Sequence, residues 1–298
     1  MTSPLVSVIM NCFNGEKYLH NAVESVIAQS YQNWEIIFYD NQSVDNSAEI
    51  FKAYDDKRLK YYFASNHTVL YEARNKAIQN ASGDFFAFLD VDDWWDPLKL
   101  EKQIPLFKNP KVGMVYGNYW FENEVKGTSF VKFSKPLPSG DILNNLLGYC
   151  VVGLLTIIIR RNTFENLTPP GFNNRFHVIG DFDLVIKTAL NWDILCINEP
   201  IAHYRWHGKN ESGLNRTLQI KELDTWHSET KPMLPLKASD GIKKFNNSLL
   251  YQKAQMFLQK KDYRNVWSCI KKLKSTELIK LILLILLPNF LLTKIRSI

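Results

Sequence analysis

The stretch Phe88-Leu89-Asp90-Val91-Asp92-Asp93-Trp94-Trp95-Asp96-Pro97 sets four carboxylates within seven residues, directly after the apolar run 85–89. Asp90 and Asp92, at i and i+2, offer hard oxygen donors with no thiolate and no adjacent imidazole, which suits Mg2+ or Mn2+ and not zinc. Such a cation keeps several waters and bridges to phosphates. Asp96, followed by Pro97, reads as the start of a helix. Asp93 reads either as a cap or as a neighbour of the ligand. Like charges this close repel, and their positive partner is expected to arrive with the ligand.

The elements that hold these acids can be read from periodicity. Residues 5–10, 34–39, 59–63 and 84–89 read as strands, and 16–30, 46–55 and 70–81 as amphipathic helices. This alternation predicts an α/β fold: a doubly wound, mostly parallel sheet with helices on both faces. Ligands of such sheets sit beyond the carboxyl ends of the strands, where the polar clusters 11–14, 40–45 and 90–93 fall. Asp40, ending the second strand, stands where a dinucleotide-binding fold holds a ribose. The first turn, NCFNGEKYL, has one glycine, so G-x-G-x-x-G is missing and a NAD or FAD enzyme is not expected. A nucleotide with its base near Phe13 and Asp40 and its phosphates toward a metal at Asp92 remains open. Past residue 97 the reading is a helix over 97–109, a strand over 112–116, a hairpin over 118–133, a helix then a strand across 146–161, and a helix over 181–191. The remainder reads as helical.

Cys12, Cys150, Cys196 and Cys269 are scattered without C-x-x-C pairs, which argues against a disulfide framework or a zinc site and suits a reducing compartment. The N-terminus shows no basic region and too short an apolar run for a signal peptide. The net charge of +6 is uneven, because residues 221–298 hold 15 Lys/Arg against 6 Asp/Glu. With the apolar stretch 278–292, interrupted by Pro288, this reads as a basic helical region that lies on an anionic membrane surface. No nucleic-acid-binding module is recognisable, so nucleic acid is not an expected partner.

The run SVIMNCFNGEKYL, SVIAQSYQNWEIIFYDNQSVDNS, LYEARNKAI and GDFFAFLDVDDWWDPLKLEKQ resembles, over residues 5–103, the nucleotide-binding half of family 2 glycosyltransferases of the GT-A fold, like those that build bacterial cell-surface polysaccharides. The resemblance implies that Asp40 contacts the base and that Phe13, in place of the usual tyrosine, lies beside it. It implies that Arg74 lies near the nucleotide, and that Asp90 and Asp92 form the D-x-D with Asp92 as direct metal ligand. A weaker resemblance over 154–212 makes Asp181 of VIGDFDLVIKTAL the general base, with Gly180 where the family has Glu and Asp183 as the alternative. It also lets His207 of YRWHGKNES reach the metal or the diphosphate. Asn11-Cys12 stands in place of Pro-Thr, and Asn41 in place of a second acid.

Together these readings predict a metal-dependent, inverting glycosyltransferase that uses Mn2+ or Mg2+ and a nucleotide-sugar, a UDP-sugar by resemblance. Its acceptor would be a glycan or a lipid-linked glycan, met on the inner face of the cell membrane from the cytoplasm. Residues 1–220 would form the GT-A domain, split into a nucleotide half (1–103) and an acceptor half (104–220), and 221–298 the basic helical region. Two rivals stand: a nucleotidyltransferase, whose triphosphate would find only Lys17 in the first turn, and a nucleotide-sugar-binding subunit that has lost catalysis, which Gly180 in place of an acid suggests.

Overall fold

The computed structural model describes residues 3–210, 214–274, 277–279 and 281–282. Strands β1 (Val6–Cys12), β2 (Trp34–Asp40) and β4 (Phe85–Phe88) are buried at every position, as expected of strands covered on both faces. Helices α1 (Leu19–Ile27), α2 (Ser47–Lys52) and α3 (Leu70–Ile78) connect them, with β3 (Leu59–Phe63) at one edge. The chain continues through β5 (Trp94–Trp95), α4 (Lys99–Gln103), β6 (Val112–Asn123), β7 (Thr128–Val131), α5 (Leu143–Gly148), β8 (Ile158–Arg160), α6 (Arg161–Glu165), α7 (Gly180–Asn191) and β9 (Asp193–Trp206). Among the described residues these strands make one sheet in the order β3-β2-β1-β4-β8-β6-β9-β5, with β7 on β6. β1, β2, β3 and β4 are parallel; β8 runs against β4 and β6, which restores the common direction in β6 and β9.

The first three strand–helix units fall where periodicity placed them. The helical reading past residue 191 does not hold: Asp193–Trp206 is the longest strand among the described residues, paired with β6. Pro200 and the polar Asn198-Glu199 disguised it. Pro200 faces Asn118 at a register shift, where a missing N–H costs the ladder little.

One face of α1 (Leu19, Ala22, Val23, Val26) packs on Val6, Val8 and Met10 of β1 and on Trp34, Ile36 and Phe38 of β2. At the other end of these strands a polar knot fixes the register. Buried Glu35 accepts from Ser7 Oγ (2.6 Å), Ser82 N (2.7 Å) and Lys60 Nζ (2.5 Å). Burial works to raise the Glu35 carboxyl, but the bonds from Lys60, Ser7 and Ser82 outweigh it and hold the pKa below its ordinary value. Gly83 N closes the knot on Ser7 Oγ at 2.8 Å.

The chain divides into two compact units, Met1–Leu143 with Cys150–Leu214, and Asn144–Tyr149 with Asn215–Ile298. The second unit contains α8 (Arg216–Thr230), α9 (Ser239–Gln259) and α10 (Tyr263–Ile270). Trp226 packs on Phe245 at 5.3 Å, and Ala254, Cys269, Leu273 and Leu281 form its small core. Asp262 caps α10 by accepting from Asn265 N. The interfacial helix expected over 278–292 lies largely outside the described residues, and no described helix is long and apolar enough to cross a membrane.

A Cβ at Gly83 would sit 2.7 Å from Leu5 O, Ser7 N and Ser7 Oγ, of which two are backbone atoms that cannot swing aside. Gly83→Ala is therefore expected to lower unfolding stability by about 1–3 kcal/mol, read from the urea midpoint. An unchanged midpoint would show that this end of β1 is not closely packed.

Candidate active site

The candidate residues gather beyond the carboxyl ends of strands that share one direction. β4 ends at Phe88, and the chain turns at once, with Asp93 N donating to Asp90 O at 3.1 Å. That turn sends the acids to different partners. Asp90 Oδ1 meets Arg74 Nη2 at 2.5 Å. Arg74 is 3% exposed and lies over the rings of Tyr71 (5.4 Å) and Phe172 (5.8 Å). Burial disfavours its charge, yet Asp90, Tyr71 and Asp181 outweigh burial and hold its pKa above the ordinary value. Asp92 Oδ2 lies 3.0 Å from His207 Nε2. Buried Asp93 accepts from Arg205 N at 2.8 Å. Asp96 Oδ1 accepts from Leu98 N (2.9 Å) and Asp96 O from Lys99 N (3.1 Å), a turn that leads into α4, whose N-cap is Leu98 and not Asp96.

The positive partners of the cluster thus come from the chain itself, which corrects the expectation that they arrive with a ligand. β9 delivers one of them, Arg205, and the residue just past it sets the His207 ring against Asp92. The Arg205 guanidinium is held between the rings of Tyr18 (4.5 Å) and Trp94 (4.4 Å), donating from Nε to Asp92 O (2.9 Å) and from Nη2 to Asn21 Oδ1 (2.8 Å). The His207 ring stacks on Tyr18 at 5.5 Å, and the His207 backbone N–H donates to Asn210 Oδ1. Compensation is incomplete. Burial pushes the Asp92 carboxyl up, the Asp90 charge adds to this, and His207 opposes both. Asp93 is pushed well up, first by burial and then by the charges of Asp92 and Asp90.

This residual negative charge, with one carboxylate and one imidazole facing each other, fits a divalent cation held by Asp92 and His207. Among the described residues no group of three or more His, Cys, Asp or Glu is arranged to hold a metal. The rest of such a coordination shell has to come from water and a bound diphosphate, the usual habit of Mg2+.

Phe13, just past β1, is 53% exposed, with its ring 4.5 Å from that of His67. Together they offer an aromatic wall that a nucleobase can stack on. Asp40 at the end of β2 is fully buried; it accepts from Ser43 N (2.7 Å) and Tyr61 Oη (2.8 Å) and so builds the turn behind Phe13. Asn11, on β1, is buried, and neither polar atom of its side chain has a hydrogen-bond partner among the described residues.

Asp181 stands in the first turn of α7. Burial raises its pKa, while Phe182 N (2.8 Å), Arg74 and Tyr71 oppose the shift. Asp183, the alternative base, is 6% exposed and paired to Lys187 at 2.9 Å within the same helix. Three further residues of the site, Tyr71, Tyr18 and His67, carry no motif that singles them out in the sequence, and Arg205 stands in the YRWHGKNES segment with no role assigned to it. Tyr71 alone has a local signal, standing three residues before Arg74 on one helix face.

The sheet and its connections define a GT-A type fold. The profile of glycosyl transferase family 2 matches residues 7–155, and the chain belongs to that family; its class is glycosyltransferase. It is 34% identical over 170 residues to the UDP-Glc:alpha-D-GlcNAc-diphosphoundecaprenol beta-1,3-glucosyltransferase WfgD of Escherichia coli, covering 57% of this chain and 66% of that one. It is 31% identical over 204 residues to TuaG of Bacillus subtilis, a glycosyltransferase named for teichuronic acid biosynthesis, covering 68% and 79%. S. aureus TarS 1-349 in complex with UDP-GlcNAc shares the fold with a TM-score of 0.57 at 15% identity, over 87% of this chain and 88% of that one. The mannosyltransferase PcManGT of Pyrobaculum calidifontis, solved with GDP-Man and Mn2+, shares it with a TM-score of 0.62 at 15% identity, over 94% and 79%.

Asp90→Asn would strand the buried Arg74 charge and is expected to cost about 1–3 kcal/mol of stability. Adding Arg74→Met should recover most of that loss in a double-mutant cycle read from urea midpoints. Additive losses would show that the two side chains do not depend on each other.

Proposed function

We propose that the chain transfers a sugar, with inversion, from a UDP-sugar to a hydroxyl of a glycan or lipid-linked glycan during cell-surface polysaccharide synthesis. The observation that carries this reading is the meeting of two acid sites on α3: through Arg74 and Tyr71 it ties Asp90 of the D-x-D to half-buried Asp181. The UDP-sugar relative and the UDP-GlcNAc complex support the choice of donor.

Residues 1–103 would hold the nucleotide, with the base against Phe13 and His67 and with Asp40 behind them. Residues 104–220 would hold the acceptor. Arg74 holds the Asp90 carboxylate in place beside the diphosphate. Arg205 grips Asp92 O and Asp93, which fixes the direction of the Asp92 carboxylate. A divalent cation on Asp92 and His207 would neutralise charge that grows on the diphosphate as it leaves. Asp181 takes the proton of the acceptor hydroxyl as its oxygen bonds to the anomeric carbon, and the bond from that carbon to the diphosphate oxygen breaks with its electron pair. A base works only when ionised. The raised pKa of Asp181 places the acidic limb of turnover above the ordinary carboxylate range near about 3.9, with activity rising as pH climbs through it. The nucleotidyltransferase reading loses its one cation, since Lys17 is paired with Glu124 at 3.1 Å.

We further propose peripheral binding to the inner face of the membrane. Tyr263 and Trp267, at i and i+4 of α10, are 60% and 62% exposed. Arg264, Lys260, Lys261, Lys271, Lys272 and Lys274 surround them in sequence. Amphipathic aromatics amid basic residues suit an anionic headgroup layer.

A screen of nucleotide-sugars by thermal shift should show stabilisation by one UDP-sugar that grows with Mn2+, and Asp92→Asn should remove the metal-dependent part. A shift equal with and without metal would contradict the assignment of Asp92. Lys271→Gln with Lys272→Gln should weaken sedimentation with phosphatidylglycerol vesicles roughly tenfold or more, at about 1 kcal/mol per charge. Equal binding of the native chain to neutral vesicles would remove the electrostatic account.

A further inference from the structure

Gly180 stands where the family resemblance calls for an acid, and the structure shows what occupies the space. The ring of Tyr71 lies against it: a Cβ at Gly180 would be 2.6 Å from both Cδ2 and Cε2 of that ring. Only a residue without a side chain lets the ring come so close. Tyr71 is 3% exposed, stacked on Phe172 at 5.3 Å. Its hydroxyl is shared between Val178 O at 3.2 Å and Asp181 Oδ1 at 3.4 Å. Phe182 N also donates to Oδ1, at 2.8 Å. Both of these hydrogen bonds fall on the same oxygen of the carboxylate, Oδ1.

We propose that Tyr71 is a positioning residue for Asp181, pinning Oδ1 so that Oδ2 receives the acceptor proton, and that Gly180 is required to admit its ring. The proposal rests on the reading of Asp181 as the base. The balance of the step is unchanged: the hydroxyl proton goes to Oδ2, the acceptor oxygen bonds to the anomeric carbon, and UDP departs with the electrons of the broken bond. Tyr71 keeps its own proton throughout. Burial pushes its hydroxyl far above the ordinary tyrosine range, so it stays protonated and can donate to Asp181. The other titratable or charged groups bearing on Asp181 are Arg74 of α3 and Cys150, whose thiol burial pushes up to about 12 and so keeps neutral. A donor that favours the ionised carboxylate lowers its pKa, so loss of the hydroxyl should move the acidic limb to higher pH.

The test uses the full chain, the UDP-sugar found by the screen, and Tyr71→Phe, which keeps the ring on Gly180. The expected result is a kcat lowered roughly tenfold, the scale of one hydrogen bond to a charged group. KM for the donor should stay within about twofold, since the donor lies elsewhere, and the acidic limb of kcat should move upward. The limb position does not depend on the fraction of enzyme folded, so it reads the effect even if the variant is less stable. Gly180→Ala, which displaces the ring, should move the limb in the same direction. Asp181→Asn separates the two readings. If it abolishes turnover while Tyr71→Phe leaves both kcat and the limb at native values, the role of Tyr71 is overturned and the base stands. If Asp181→Asn turns over at the native rate, the base falls, and the role of Tyr71 with it.

Discussion

The constraint on which the site depends is the confinement of negative charge at the carboxyl edge of the sheet. Asp90, Asp92, Asp93 and Asp181 are brought into a partly dry region, where a carboxylate is tolerable only with a positive partner or a proton. The fold answers with a buried arginine from α3 and an arginine from β9, and it sets the His207 imidazole just past β9 against Asp92. Each cation is locked in place by rings or backbone. Asp92 and Asp93 remain under pressure to hold a proton after these partners are counted. On the proposed reading, a divalent cation arriving with the diphosphate would make up that shortfall.

Arg74 has a second consequence. Its guanidinium bears on Asp90 and on Asp181 at once, and Tyr71, one turn earlier on the same helix, touches Asp181 directly. One helix face therefore fixes Asp90 and Asp181, the proposed donor-side and acceptor-side acids, in a common frame. A displacement of α3 would disturb both, which places demands on its packing against β1 and β2. The stacking of Tyr71 on Phe172 and its close approach to Gly180 meet part of that demand.

Much of this is legible in the sequence. The mostly apolar runs of β1, β2 and β4 and the amphipathic α1 announce a doubly wound sheet, and strand ends rich in Asn and Asp mark the ligand edge. What stays hidden depends on contacts distant in sequence. Arg205 is more than a hundred positions from Asp93, so no periodicity could pair them. β9 is obscured by Pro200, which the strand accommodates at a register shift that only the paired structure reveals. β5, two residues long, is below the length at which alternation carries a signal. Gly180 looks like a lost acid in the sequence, whereas the structure gives it a steric duty toward Tyr71.

A single displacement with Asp181 as base is tested most directly by the anomeric configuration of the product, read by proton NMR after transfer from an α-linked UDP-sugar. A β-linked product is predicted, and Asp181→Asn should yield none. An α-linked product would contradict the single displacement, because retention demands a nucleophile or a geometry that the present arrangement does not assign to Asp181.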